Sequence, residues 1–147
     1  MNKLTYRRIL LIGDVLAVAA FVIVGQYFHN MTAMANAALR AVEQIAAIGL
    51  PFILLAWLLG AYPARHPETW REMGLFLLRS ALAFIYAVPT GLFIRAWLFG
   101  QPTVLLAFAS MALLFSAMFV LGWRVLFAAV SVVLRKRRQQ RWKEQLA

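Results

Sequence analysis

Five charged side chains interrupt apolar sequence, and their types and spacing define the chemistry that this chain could perform. They are Asp14, Glu43, Arg79, Arg95 and Arg124. Two carboxylates can share acid–base work only when both reach the reacting group, and a charge inside a membrane requires a partner, a water-filled path or a route to the interface. The chemistries to weigh are therefore acid–base catalysis, a proton or ion path, and ion pairing between helices.

Metal and haem chemistry have few ligands to draw on. The chain has no cysteine, which excludes disulfides and thiolate-ligated metals, and it has only two histidines, His29 and His66. A haem held by both histidines needs them at the same depth, whereas the layout below predicts them at opposite ends. We therefore expect no metal and no cofactor.

The elements that must position these residues are long and apolar. The 147 residues are 64% hydrophobic and 14% charged, whereas soluble proteins have about 25% charged residues. A helix needs about 20 apolar residues to cross a bilayer core. The apolar stretches do not alternate between apolar and polar residues, as the strands of a membrane barrel would. Membrane helices are predicted at about 9–28, 36–61, 74–99 and 103–134.

The predicted fold class is all-α, a polytopic membrane protein with four transmembrane helices in an antiparallel bundle. Short connections predict that helices adjacent in sequence are antiparallel neighbours. The four-helix domain covers 1–134, and a basic tail covers 135–147. The first apolar stretch is longer than the about 7–15 residues of a signal-peptide core, so we expect it to be retained.

The basic residues predict the orientation. Basic residues precede the first helix, lie in the 2–3 loop and follow the fourth helix, whereas the 1–2 loop "HNMTAMA" has none. Arg40 and Arg95, at the ends of the second and third helices, are exceptions on the outer side. The positive-inside rule then predicts a cell membrane protein with both termini cytoplasmic. Much of the net charge of +10 lies in the tail, so we expect lipid headgroup contact rather than nucleic acid binding. The predicted headgroup ligands are Arg135, Lys136, Arg137 and Arg138.

Helix depth sorts the polar residues into two layers. Asp14, Arg79 and Arg124 share the predicted inner layer, which indicates an ion pair of Asp14 with Arg124 or with Arg79. Such a pair can fix helix register, or it can form part of a proton or ion path. The predicted outer cluster comprises Gln26, His29, Glu43 and Arg95.

Prolines and glycines predict bends and ends within this layout. Pro51 and Pro89 lie inside helices two and three, where each frees a carbonyl, and two such kinks can open a pocket between neighbouring helices. Thr90 is a local donor for the second freed carbonyl. We expect the third helix to start at Pro67, with Glu68 as the acidic residue of its first turn, and Gly100 to end it as a C-cap.

Several segments in this order resemble a known family. These are "GDVLAVAAFVIVGQYFH" (13–29), "LPFILLAWLLG" (50–60), "GLFIRAWLFGQPTVLLAF" (91–108) and "LGWR" (121–124). Together they resemble a family of small bacterial and archaeal membrane proteins known as domain of unknown function 3054, from about Asp14 to Arg124. The resemblance implies a membrane location and a fold, but no activity.

Three classes of function remain after this reading. A non-catalytic accessory or scaffold subunit, or a binder of a lipid-like molecule, fits best, with membrane lipids and a larger membrane complex or a homo-oligomer as partners. A small oligomeric transporter or channel is the alternative. An intramembrane enzyme is disfavoured, because Asp14 and Glu43 are predicted on opposite sides of the membrane.

Overall fold

The chain folds as four long helices. The structure is a computed structural model that describes residues 3–33, 35–65, 67, 69–98, 100 and 106–146, with side chains from Thr5 to Val133 within those ranges. The helices are α1 (Lys3–Phe28), α2 (Ala37–Leu58), α3 (Trp70–Leu98) and α4 (Leu106–Leu146), and a short 3-10 helix (Met31–Ala33) follows α1. Each of the four is long and apolar enough to cross a membrane, which is the pattern of a multi-pass membrane protein.

The apolar surface of the molecule supports this pattern. Large aliphatic side chains on α1 are exposed, including Ile12, Leu16 and Ile23, at 56%, 63% and 56%. Exposed apolar surface of this extent is rare on soluble monomers but is expected where acyl chains surround a helix.

Helices α1 and α4 extend beyond their predicted apolar spans, because residues of high helix propensity continue each of them. Helix α1 begins at Lys3 rather than at Ile9, and α4 continues through the predicted tail to Leu146 rather than ending near Leu134. Arginine, lysine, glutamine and glutamate all have high helix propensity, and neither segment contains glycine or proline. The predicted headgroup ligands 135–138 belong to this helix, and their side chains lie outside the described residues.

The start of α3 was predicted wrongly at Pro67. The helix begins at Trp70, because the Thr69 hydroxyl accepts a hydrogen bond from the backbone N–H of Glu72 (3.2 Å) and so caps the first turn. Glu72 is the acidic residue of that turn, and Glu68, predicted for this role, lies outside the described residues. Gly100 does follow α3 as predicted, with φ of 63°, and its N–H donates to Trp97 O at 3.2 Å.

Helix α2 ends at Leu58, three residues before the predicted Ala61, in a Schellman turn. The N–H of Ala61 donates to Ala56 O at 2.7 Å, and the N–H of Gly60 donates to Trp57 O at 3.1 Å. Gly60 has φ of +69°, a conformation that side chains with a Cβ rarely adopt. The chain therefore leaves α2 sharply and passes back over the end of the helix.

Helices α2 and α3 approach each other most closely at a glycine. A Cβ built on Gly91 would lie 2.6 Å from Ala47 O and 3.0 Å from the Cα of Ile48. Pro51 lacks the N–H that would bond Ala47 O within α2, so the carbonyl that this proline frees faces the glycine of α3. The backbones of α2 and α3 therefore meet at this point, one turn before Pro51 in α2, and leave no space for a side chain between them.

Aromatic side chains fill the remaining contacts between helices. Phe52 of α2 meets Phe84 of α3 edge-on, with ring centroids 5.9 Å apart. Tyr6 of α1 packs on Phe127 of α4 at 5.0 Å. The indole of Trp123 lies so close to α1 that a Cβ on Gly13 would be 2.0 Å from it, so the absence of a side chain at Gly13 lets α1 and α4 meet.

Candidate functional site at the buried arginine

Arg124 and Asp14 form an ion pair inside the protein. Nε of Arg124 donates to Oδ1 of Asp14 at 3.0 Å, and Nη2 donates to Oδ2 at 2.7 Å. This two-point geometry is the strongest form of arginine–carboxylate contact. Both side chains are fully buried, so the pair is removed from lipid as well as from water. The sequence left two candidate partners for Asp14, and in the structure its partner is Arg124.

The remaining donors of Arg124 are bonded to two other elements. Its Nη1 donates to Ala61 O at 3.1 Å and to Oγ of Ser80 at 2.8 Å. Ser80 in turn donates to Phe76 O, one turn earlier in α3, at 2.6 Å. The Schellman turn explains the first of these bonds, because the reversal at Gly60 delivers the Ala61 carbonyl into the protein interior.

Tyr62 completes the network from the 2–3 connection. Its hydroxyl donates to Oδ2 of Asp14 at 2.6 Å. Burial, and after it the Asp14 carboxylate, raises the pKa of the Tyr62 hydroxyl far above its ordinary value of 10.0. The hydroxyl therefore stays protonated and remains a donor.

Aromatic faces surround the guanidinium where hydrogen bonds do not. The Cζ atom of Arg124 lies 4.9 Å from the ring centroid of Phe52, 4.9 Å from that of Tyr62 and 5.6 Å from that of Phe76. Cation–aromatic contacts stabilise a charge more strongly when it is desolvated, as it is here. One arginine of α4 is thus held by α1, α2, α3 and the connection between α2 and α3.

This arrangement suits a structural clamp better than a proton path. The carboxylate accepts three hydrogen bonds, and the guanidinium donates four of its five N–H groups. A group that must gain and lose a proton needs an open route to water, whereas Asp14 and Arg124 are 1% and 0% exposed. The network links α1, α3, α4 and the 59–62 segment at one end of the molecule.

Arg79, the third member of the predicted inner layer, lies outside the network. It is exposed on α3, and its neighbour Ser80 faces the interior in its place. A Cβ on Gly60 would lie 3.3 Å from Nη1 of Arg79, so the guanidinium reaches back over the turn after α2. Long helical side chains point towards the helix N-terminus, which explains this direction.

The predicted outer cluster is only partly assembled. Gln26 is buried, and its Nε2 donates to Ala37 O at 3.4 Å, which joins the end of α1 to the start of α2. Arg95 is half-buried, with its Cζ 5.5 Å from the ring centroid of Phe108. His29 is exposed and Glu43 is half-buried, and among the described residues neither side chain makes a hydrogen bond or an ion pair. The other histidine, His66, lies outside the described residues.

The Thr90 hydroxyl does not bond the carbonyl that the second proline frees, in contrast to the sequence prediction. Thr90 donates to Tyr86 O at 2.8 Å, whereas Pro89 frees the carbonyl of Ile85. Pro89 itself is exposed and Pro51 is half-buried. Both prolines thus lie within helices that continue on either side of them.

Sequence reasoning missed four parts of the site: the hydroxyls of Tyr62 and Ser80, the Ala61 carbonyl and the aromatic lining of Phe52 and Phe76. The short segment "LGAY" (59–62) did contain a usable signal. A glycine after a long apolar run indicates a helix end, and a tyrosine two residues later has a hydroxyl that needs a partner when it is buried.

Among the described residues, two of the open hollows near the network lie at the end of the molecule formed by the 59–65 segment and the first turns of α1, which we call the loop end. The first is an apolar groove of about 560 Å³ between α1 and α2, with Arg7 and Arg8 at its border and Tyr62 in its wall. The second is a cavity of about 500 Å³ against the 59–69 connection, which includes Gly60, Arg65 and Arg79. We call them the α1–α2 groove and the loop cavity.

Comparison with protein families assigns the chain. A family model described as protein of unknown function (DUF3054) matches residues 11–127. The chain belongs to this family. The matched region of DUF3054 contains both ends of the ion pair, from Asp14 to Arg124, together with the 59–62 segment that bonds them. Comparison with curated proteins gave no match, and comparison with solved structures gave none either.

Proposed function

We propose that this DUF3054 protein is a non-catalytic membrane protein that binds an anionic lipid in its α1–α2 groove. The observation that carries the proposal is the composition of this groove. Leu11, Leu50, Leu54 and other apolar side chains line its length, and among the described residues its charged lining side chains are Arg7 and Arg8. An acyl chain fits the apolar part, and a negative headgroup fits the basic border.

The size and position of the groove support this occupant. A volume of about 560 Å³ lies within the range of about 300–1,000 Å³ that is typical of small-molecule sites. Trp57 and Tyr62 lie in the lining, and such residues favour the membrane–water boundary, where one side is apolar and the other is wet. The groove would thus hold a lipid with its headgroup at the loop end.

The charge predicts the preference among lipids. A basic residue near an anionic membrane surface contributes about 1 kcal/mol, so two arginines favour an anionic over a zwitterionic headgroup by about 30-fold. The positive-inside rule, applied to the basic N-terminal turns and the basic C-terminal helix, supports a cytoplasmic position for this end. The proposed location is therefore the cytoplasmic membrane, with both termini on the cytoplasmic side.

The buried network supports a scaffold rather than a moving part. The Asp14–Arg124 pair fixes the inner wall of the groove, because Tyr62 lines the groove and bonds Asp14. The alternative of a small transporter requires a path between the kinked segments of α2 and α3. The close approach of Gly91 to Ala47 O gives that path no support.

The test is lipid retention by the purified protein. The protein is extracted in a neutral maltoside detergent, returned to nanodiscs of mixed phosphatidylcholine and phosphatidylglycerol, and released for native mass spectrometry. The wild type should retain phosphatidylglycerol preferentially, Leu11→Trp should fill the groove and prevent retention, and Arg7→Gln/Arg8→Gln should abolish the preference for the anionic lipid.

The controls separate the groove from the general surface. Ile23→Trp adds the same bulk at an exposed position of α1 that is outside the groove lining, and Arg40→Gln/Arg71→Gln removes two charges elsewhere. Both controls should behave as wild type. Retention that is unchanged by Leu11→Trp, or lost equally in the controls, would contradict the proposal, and a second copy of the chain in the recovered particle would replace the lipid as the occupant.

A further inference from the structure

The loop cavity is lined in part by the guanidinium of Arg79. Arg79 lies in the apolar span of α3, nine residues after its first residue Trp70, where a charge is costly. Among the residues that the structure describes, the Arg79 side chain has no hydrogen bond and no ion pair, in contrast to Arg124. Its guanidinium bends back over Gly60 at the loop end instead.

The surroundings of Arg79 form a hollow rather than a flat surface. The cavity of about 500 Å³ lies between the 59–69 connection and the first turns of α3, with Pro63 and Phe76 among its lining residues. The ring of Phe76 also packs against the guanidinium of Arg124, so it separates the cavity from the buried network. The cavity is therefore a compartment distinct from the network.

The described side chains that line the cavity carry a net positive charge. Those that are charged are Arg65, Arg79 and Glu72. Glu72 is engaged by Arg65, with 3.7 Å between Oε1 and Nη2. The remaining charge is that of Arg79, whose planar fork of N–H donors matches the paired oxygens of a phosphate.

We propose that the loop cavity binds a phosphate group through Arg79. The geometry explains why an arginine is tolerated at this depth in α3: its guanidinium is held at the interface, where the oxyanion is its partner. The phosphate is either that of a lipid headgroup or free phosphate from the aqueous side. This site is separate from the α1–α2 groove and does not depend on the function proposed above.

Two experimental arms distinguish the two sources. In the first, the protein in a neutral maltoside detergent is titrated with inorganic phosphate, with chloride at equal ionic strength as the reference, and binding is followed by the shift in thermal unfolding. In the second, retention of phosphatidylglycerol from nanodiscs is counted by native mass spectrometry. Arg79→Gln removes a charge-assisted contact. It should therefore bind the ligand of the site, either inorganic phosphate or phosphatidylglycerol, at least about tenfold more weakly than the wild type.

The controls test the residue and the site separately. Arg71→Gln removes an exposed arginine of the same helix that is not in the cavity lining, and it should bind as wild type. Arg79→Lys retains the charge without the fork and should lie between wild type and Arg79→Gln. Arg79 has no partner to lose within the described residues, so Arg79→Gln should unfold at the wild-type temperature when phosphate is absent.

The outcomes decide the proposal. A response to inorganic phosphate that needs Arg79 supports a free-phosphate site, and a response confined to phosphatidylglycerol supports a lipid site. Wild-type binding by Arg79→Gln in both arms, no binding by the wild type in either, or equal loss in Arg71→Gln would overturn it. Arg7→Gln/Arg8→Gln should leave the Arg79-dependent binding intact, so failure of the groove proposal remains distinguishable.

Discussion

The Asp14–Arg124 pair allows a quantitative prediction through a double-mutant cycle. Asp14→Asn leaves a fully buried guanidinium without its counter-charge, and Arg124→Gln leaves a fully buried carboxylate without its own. Removal of one partner of a buried ion pair costs about 3–5 kcal/mol, because the other charge remains desolvated. Each single variant should lose this much stability.

The double variant Asp14→Asn/Arg124→Gln should lose far less than the sum. It contains no buried charge, and the asparagine that replaces Asp14 still offers an oxygen to the Tyr62 hydroxyl. The shorter amide that replaces Arg124 leaves Ala61 O unbonded at about 1–3 kcal/mol, and the lost cation–aromatic contacts add about 0.5–2 kcal/mol. The expected loss is about 2–5 kcal/mol, whereas independent sites would give about 6–10 kcal/mol.

The assay is reversible unfolding in mixed maltoside and dodecyl sulfate micelles, followed by far-ultraviolet circular dichroism. The control is Asp14→Asn/Ser116→Ala, because the Ser116 hydroxyl is buried but bonds Ala112 O of its own helix. The stability losses of Asp14→Asn and Ser116→Ala should add in this double variant to within about 0.5 kcal/mol. Equal additivity for Asp14→Asn/Arg124→Gln would refute the clamp.

Three further predictions concern single residues. Gly91→Ala should destabilise the protein by about 1–3 kcal/mol, because the new Cβ would collide with Ala47 O and separate α2 from α3. Gly13→Ala should destabilise it to a similar extent, because the indole of Trp123 must move away from α1; micelle unfolding measures both changes. Tyr62 should remain protonated past pH 10, so Tyr62→Phe should leave the rise in absorbance at 295 nm between about pH 10 and 11 unchanged.

The two glycine variants have a matched control. A Cβ on Gly25 of α1 or on Gly74 of α3 would meet nothing within 4 Å, so alanine there should be neutral or stabilising by up to about 1 kcal/mol. Destabilisation by the control variants equal to that of Gly91→Ala would show that the contact distance is not the cause.

The raised pKa of Tyr62 also predicts how the stability of the protein changes with pH. The pKa of Tyr62 is raised in the folded protein, so the unfolded chain loses its proton first as the pH passes about 10. The contribution of Tyr62 to stability should be constant below that pH and should decline above it. Loss of one tyrosine's share of the absorbance change in Tyr62→Phe would contradict a protonated, buried hydroxyl.

Some features of this structure depend only on the residues of one segment, and these features could be predicted from the sequence. The four spans were predictable because about 20 apolar residues in a helix have one low-energy environment, and matched depth was enough to select two candidate partners for Asp14. Choice between Arg79 and Arg124 required helix rotation, which decides that Ser80 rather than Arg79 faces inward. Depth alone carries no information on rotation.

Other parts of the site depend on backbone groups that have no sequence signature. The Ala61 carbonyl reaches Arg124 only because Gly60 reverses the chain, and the contact at Gly91 exists because Pro51 frees a carbonyl on a different helix. The close approach at Gly91 gives the predicted pocket at the two prolines no support. A proline frees a group, but the neighbouring helix decides whether a pocket or a contact results.

The most direct test of the account is the membrane topology of the chain, which has no cysteine of its own. Single cysteines at the exposed residues Thr5, Asn30 and Arg71 would be labelled with a membrane-impermeant maleimide in right-side-out vesicles. The account predicts labelling of Asn30→Cys in intact vesicles, and of Thr5→Cys and Arg71→Cys only after permeabilisation. Labelling of Thr5→Cys and Arg71→Cys from opposite sides, or recovery of the protein outside the membrane fraction, would contradict it.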